Sequence, residues 1–394
     1  MNPLSRLSRI TTAGREFIPQ IDGLRFLAIT SVIVFHVWAI GTFHLGYPGD
    51  TSTKVGLFLS NGHVGVELFF VISGFILALP FARQYLAGGK KIRLREYFIR
   101  RVTRIEPPYV IQLVLVFLWT ALVLRHSPAH QEQYGSEGWL HYTAAHMLAS
   151  LFYAHDLIFR SHPYPNVVLW SLEIEVQFYL LAPFLAAVFA LRNAWFRRAL
   201  MSLIILVWPA AINHLGLLPL GDRLGLIDSL PCFLTGFLLV EIYLSGWLAS
   251  GRKNHIWDAF FFLSVPAVVY GPAFETWIFL VVCVAAFRGR IASWLMSNPW
   301  ITTIGGMCYT VYMYHWLLIA VLIRGTIHLR TGIIWLDLLV QFIVLTPMII
   351  LICAIPFALL ERPFMRRDWP TRFKQFVLGT KATAPAPVKT ADGE

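Results

Sequence analysis

Arg25 and His36 stand on one apolar stretch, Leu24 to Ile40, with ten residues between them. Eleven helical steps of about 100° come within about 20° of three full turns, so both side chains share one stripe about 16 Å long. Lipid opposes a guanidinium near one membrane surface and an imidazole most of the way across unless they line something useful. An imidazole titrates near neutrality, which suits it to take a proton or to carry a group as a nucleophile. A lone membrane histidine ordinarily just hydrogen-bonds a neighbouring helix. The other polar groups therefore decide whether His36 reacts.

Those groups are few and unevenly placed. Glu67 falls near the start of the second apolar stretch, at a depth similar to that of His36. Ser171, Glu175 and Tyr179 follow one another at i, i+4 on one helical face, with Glu173 and Gln177 as a second, adjacent pair. Tyr309, Tyr312 and His315 punctuate a later stretch, where they could equally be interface-belt or helix-gluing residues. The segment after the second stretch concentrates Arg83, Lys90, Lys91, Arg93, Arg95, Arg100, Arg101 and Arg104. Most of these read as surface anchors facing anionic lipid. Arg101 and Arg104, one turn apart, are expected to present two planar forks to a phosphorylated ligand just before Pro107 and Pro108 interrupt the helix. No P-loop is present, so a coenzyme or lipid phosphate is expected rather than a hydrolysed nucleotide.

The elements holding these groups must be membrane helices. The 394 residues are 57% hydrophobic and 13% charged, with a mean hydropathy of +0.64, which leaves too little polar surface for a water-soluble body. The expected fold is an all-α integral membrane protein, a polytopic bundle of about ten transmembrane helices. The spans are expected near 24–41, 62–82, 107–124, 167–191, 199–217, 228–246, 256–271, 273–287, 303–323 and 334–360. A segment from Tyr142 to Phe159 is less apolar and reads as interfacial or re-entrant. If it does not cross, only Lys54, Arg125, Arg160, Arg223, Arg324 and Arg330 of the 32 Lys and Arg fall on the outer side. The positive-inside rule thus puts both termini in the cytoplasm.

The apolar segment after Asp22 has no small-residue cleavage site and reads as an uncleaved first span. The net charge of +11 resides between spans, which argues against nucleic acid as a partner. Cys232, Cys283, Cys308 and Cys353 lie in apolar stretches without paired spacing and read as buried thiols. His126, His130, His141, His146, His155 and His162 crowd the long outer connection without a ligand spacing, and read as wet polar surface rather than a metal site. The tail from Thr380 reads as disordered and dispensable.

Five motifs in order resemble the membrane acyltransferase-3 family, the O-acyltransferases of bacterial surface glycans and some small molecules. They are Ile21-Asp-Gly-Leu-Arg-Phe-Leu-Ala28 with the Arg25 to His36 spacing, Gly65-Val-Glu-Leu-Phe-Phe-Val-Ile-Ser-Gly-Phe75 with a Ser-Gly break, and Arg101-Val-Thr-Arg104-Ile-Glu-Pro107. Trp170-Ser-Leu-Glu-Ile-Glu-Val-Gln-Phe-Tyr179 and the late pair Tyr309-Thr-Val-Tyr-Met-Tyr-His315 and Glu361-Arg-Pro363 complete the set. Where relatives usually show two adjacent glutamates, this chain has Glu175 followed by Val176, with Glu173 extra.

The resemblance covers roughly residues 18–370. It implies a cytoplasmic N-terminal segment 1–20, an acyltransferase-3 transmembrane domain 21–365, and a basic, then disordered, cytoplasmic tail 366–394. It further implies transfer of an acyl group, expected to be acetyl, from cytoplasmic acyl-CoA to a hydroxyl of a cell-surface glycan or glycolipid at the bacterial inner membrane, without a metal. Arg25, Arg101 and Arg104 would hold the coenzyme, and His36 would act as base or transient acyl carrier. Glu175 or Glu67 would orient the His36 ring, with Ser171, Tyr179, Tyr312 and His315 supporting. The chain's end soon after the tenth span suggests no fused periplasmic domain and leaves room for a separate periplasmic acyl-handling partner. The rival from another class is a secondary transporter of a glycan precursor or anionic solute, against which the lack of an internal repeat counts.

Overall fold

A computed structural model describes residues 7, 17–47, 49, 51–123, 138–215, 225–250, 253–270, 274–366 and 369. The N-terminal segment before Phe17 apart from Leu7, His126 and His130 on the outer connection, and the tail beyond Trp369 lie outside the described residues. The described helices that matter here are α1 (Pro19–Leu45), α2 (Gly65–Leu86), α3 (Leu94–Val123), α4 (Gly138–Leu151), α5 (His155–Phe159) and α6 (Trp170–Leu185). There follow α7 (Ala194–His214), α8 (Leu226–Leu244), α9 (His255–Tyr270), α10 (Glu275–Arg288), α11 (Arg290–Met296), α12 (Pro299–Gly306), α13 (Cys308–Thr326) and α14 (Ile334–Pro356). Among the described residues there is no β-strand.

Among the described residues, eight helices are long and apolar enough to cross a membrane: α1, α2, α3, α6, α7, α8, α13 and α14, some extended by flanking turns. The two other expected spans are the 16-residue α9 and the 14-residue α10, both shorter than the ~20 residues that ~30 Å of hydrocarbon requires. They pack against each other as an antiparallel pair. Large apolar side chains such as Leu122, Phe184, Leu263 and Leu351 face outward, as a lipid solvent demands. The chain is a multi-pass membrane protein.

Local sequence sets the helix ends. Pro19 and Pro299 occupy the first turns of α1 and α12, where a missing N–H costs nothing. The Asn193 and Asn298 side chains accept from the Phe196 and Trp300 amides at the starts of α7 and α12. Gly46, with φ 70°, closes α1.

At the centre, α2 packs most extensively on α8. A Cβ on Gly74 would strike the Phe233 carbonyl, and one on Gly236 would strike the Val71 carbonyl, so the two helices meet backbone to backbone. The expected break at Ser73-Gly74 is thus a close crossing within a continuous helix. Phe178 on α6 stacks on Phe233 with centroids 3.7 Å apart, which joins α6 to this seam.

Pro107 and Pro108 do not interrupt their helix either: α3 runs unbroken from Leu94 to Val123. Proline removes an amide donor and disturbs the carbonyls one turn earlier, a cost tolerated where another group caps them. The carbonyls left without amide donors are those of Thr103 and Arg104, four residues earlier, and beside them the Tyr309 hydroxyl donates to the Ile105 carbonyl at 3.0 Å, tying α3 to α13.

The segment Tyr142 to Phe159 does not form one crossing helix. It is divided between α4 and the short α5 by a turn at Tyr153, whose φ is 54°. His146 and His155 are buried rather than wet, 3% and 0% exposed. A carbonyl only accepts, so the 3.1 Å contact of His155 Nδ1 with the Ser161 carbonyl puts the His155 proton on Nδ1. Its Nε2 lone pair then receives His146 Nδ1–H at 2.6 Å. Glu173 accepts from the Asp156 amide at 3.3 Å, and Gln177 donates to the Tyr153 carbonyl at 3.2 Å, so this pair of α6 residues moors the segment.

Protonating His155 would set two N–H groups against each other. Burial, followed by the neighbouring His146, pushes the His155 pKa down to about 4, while burial lowers that of His146. A histidine held neutral contributes docking stability in full above pH ~6.5 and loses it as pH falls towards about 4, because the released state binds the extra proton. Amide exchange across residues 138–160 is therefore expected to accelerate between pH ~6.5 and ~4 after correction for intrinsic rates. A flat profile would remove the histidine lock.

Candidate active site

The helix starting at Pro19 brings Asp22 and Arg25 together one turn apart, and they form an ion pair at 2.5 Å. Both are nearly buried, at 3% and 12% side-chain exposure. Alongside, α12 packs against α1, and α13 after it runs in the same direction as α1. At the start, Gly305 lies against the Asp22 carbonyl, where no side chain would fit; further on, His315 meets His36.

Between α1, α2, α3, α6 and α13 lies a partly open cavity. Arg25, Arg101 and Arg104 supply its cationic lining. Arg101 lies 5.8 Å from the Tyr97 ring centre and 5.7 Å from that of Tyr179. Among the described residues, neither Arg101 nor Arg104 has a carboxylate within ion-pair distance, so both guanidinia keep donors for a ligand.

The expected stripe on α6 is present: Ser171, Glu175 and Tyr179 all line the cavity. Tyr179 OH and Ser73 Oγ each donate to Glu175 Oε1 at 2.6 Å. The Ser171 and Tyr312 hydroxyls meet at 2.6 Å, with Phe69 edge-on to the Tyr312 ring at 5.9 Å.

His36 and His315 are not among the residues lining this cavity. They form a pair beyond it, with His315 Nε2 3.1 Å from His36 Nδ1 and ring centroids 4.8 Å apart. Tyr312 borders both regions: it lines the cavity, and its ring centre is 5.4 Å from that of His315. His315 is fully buried, whereas His36 is partly exposed.

The carboxylates sit differently from expectation. Glu175 bonds Ser73 and Tyr179, and no described hydrogen bond joins it to His36. Glu67 lies in the field of Glu275 and Asp228 rather than at the histidine pair. The neighbour found at the His36 ring is therefore an imidazole where a carboxylate was expected.

Two lining residues had not been singled out as site residues. Ser73 is one helical turn from Phe69 on α2, and Glu361 is a buried acid whose carboxylate accepts from the Thr310 amide at 3.1 Å and from the Thr310 hydroxyl at 2.5 Å. Glu361 closes a π-helical turn, Phe357–Glu361, a wider backbone form that recurs at functional sites. A charge at the end of a long apolar run, in Glu361-Arg-Pro363, was its signal in the sequence. Among the described residues no group of three or more His, Cys, Asp or Glu forms a metal cluster, and the four cysteines are free thiols.

The family described as "Acyltransferase domain" matches residues 18–358. Peptidoglycan O-acetyltransferase OatA of Listeria monocytogenes is 30% identical over 196 residues, 46% of this chain and 26% of the relative. Putative peptidoglycan O-acetyltransferase YrhL of Bacillus subtilis is 26% identical over 349 residues, 77% of this chain and 49% of the relative. A putative O-acetyltransferase of Staphylococcus aureus is 24% identical over 343 residues, 77% of this chain and 51% of the relative. The chain thus spans at most about half the length of these relatives. No solved structure matches it.

Proposed function

The chain belongs to the acyltransferase-3 family, and from that premise we propose that it is a membrane-bound O-acyltransferase, with acyl-CoA as donor and a surface-glycan hydroxyl as acceptor. The expected acyl group is acetyl, in keeping with the O-acetyltransferase names of its relatives, two of which are named for peptidoglycan. The acceptor is reached directly or through a separate acyl-carrying partner on the outer side.

One observation carries the reading. A cavity with Arg25, Arg101 and Arg104 in its wall also reaches Tyr312, which is in contact with the His36–His315 pair. Guanidinium forks suit the phosphates of the coenzyme, and the apolar part of the wall, with Val66, Phe69, Ile72 and Leu172, suits its thiol arm. Beyond Tyr312, His36 takes the proton of the acceptor hydroxyl as that oxygen attacks the thioester carbonyl, the C–S bond breaks and the coenzyme thiolate leaves. In the carrier variant, the imidazole itself forms the first new bond and then passes the acyl group on. Glu175, held by Ser73 and Tyr179, shapes the cavity wall.

The proposed topology has ten spans, with α9 and α10 as the two short ones, and both termini in the cytoplasm of an inner-membrane protein. It is supported by the one-sided distribution of Lys and Arg. Charged acyl-CoA does not cross lipid, so a site loaded from inside and emptied outside gives a reason for the membrane setting.

The test is incubation of purified protein with acetyl-labelled acetyl-CoA and isolated glycan. Label in the glycan, or on the protein, is expected. Accumulation of unmodified solute in proteoliposomes without label transfer would replace this reading with the transporter.

A further inference from the structure

We infer that His315 is the positioning residue for His36: it holds the His36 ring in one orientation across two helices. This rests on the reading of His36 as the reactive group.

The argument runs through acceptors. His315 Nδ1 is 2.7 Å from the Tyr312 carbonyl, and a carbonyl only accepts, so the proton of neutral His315 sits on Nδ1. Its Nε2 therefore presents a lone pair, and that lone pair faces His36 Nδ1 at 3.1 Å. His36 Nδ1 has a second acceptor, the Val32 carbonyl, at 3.0 Å. With acceptors on both contacts, His36 must carry its proton on Nδ1. The lone pair is left on Nε2, the atom required of a base or nucleophile.

A bond to Val32 alone ties the ring only to its own helix. The His315 contact comes from α13 and fixes the ring across helices, at nearly right angles to His315 with 68° between planes. His315 is itself immobilised, fully buried and bonded back to its own helix. When His36 gains a proton at Nε2, its Nδ1–H keeps the same acceptor, so the protonated ring stays in register for the return transfer. A buried neutral partner does this without placing another charge in lipid.

The test compares H315L, which removes the acceptor, with H315Q, whose carbonyl replaces it. Turnover in H315L is expected to fall by about 10- to 100-fold with KM for acetyl-CoA unchanged, and H315Q is expected to stay within a few-fold of the parent. Nitrogen-15 histidine spectra in detergent, with the His36 signal assigned by its loss in H36A, provide a structural readout. The His36 Nδ1–H signal is expected to keep its parent position in H315Q and to shift in H315L, where the Val32 carbonyl is the acceptor that remains. Full turnover in H315L, equal impairment of both variants, or an unchanged His36 Nδ1–H signal in H315L would overturn the inference. Activity surviving in H36A would instead sink the reading of His36 as reactive, while the spectra would still decide what His315 does.

Discussion

Alanine at position 36 is expected to lower acyl transfer by about a thousandfold while leaving acetyl-CoA binding intact. General-base catalysis by a placed imidazole contributes about 10²- to 10⁴-fold, and loss of a nucleophile costs at least as much. The separation from binding comes from position. His36 lies outside the cavity whose wall carries Arg25, Arg101 and Arg104, with Tyr312 between them, so its truncation removes no donor contact. The site is also partly exposed, so the change does not open a sealed core. Initial rates with labelled acetyl-CoA would be paired with calorimetric titration in detergent. Full acylation by properly inserted H36A protein would eliminate the mechanism. Acid-quenched parent protein that retains label, when H36A does not, would select the carrier route over direct transfer.

Sequence order made some of this site readable because helix periodicity fixes near neighbours. The Asp22–Arg25 ion pair, the Ser171, Glu175 and Tyr179 stripe and the adjacent Arg101 and Arg104 all depend on spacings of three or four residues. The groups that complete the site come from far away along the chain. Ser73 reaches Glu175 across 102 residues, and His315 reaches His36 across 279, distances over which periodicity says nothing. Glu67 shows the opposite failure: similar depth on a neighbouring span suggested a meeting, but the acidic groups whose field it feels are Glu275 and Asp228. Pro107 and Pro108 looked like a helix end because their local cost is certain. The helix nevertheless runs on through both, and the contact that ties it to α13 beside them, Tyr309 to the Ile105 carbonyl, exists only in the folded bundle. His146 and His155 looked wet because polarity in a loop usually means solvent. Here each imidazole satisfies the other, and Phe159 stacks on His146 at 4.0 Å.

Removing both forks, R101A with R104A, is expected to weaken acetyl-CoA binding by at least about 100-fold. A hydrogen bond to a charged group contributes about 1.5–3 kcal/mol, and two such contacts at the lower figure already amount to two decades. The loss should shrink as salt rises, because phosphate–guanidinium attraction is screened. Lysine in place of each arginine keeps the charge but loses the fork, so R101K with R104K should fall between parent and alanine variant. Arg101 also packs between Tyr97 and Tyr179, so alanine there could loosen the wall as well as remove a charge. A donor without phosphates separates these effects. Acetyl-pantetheine presents the same thioester and thiol arm, so parent and double variant should use it equally well if the arginines act on phosphate. If instead the double variant loses acetyl-pantetheine as severely as acetyl-CoA, the arginines maintain the cavity and the phosphate assignment falls, although His36 would remain where the acyl group must arrive.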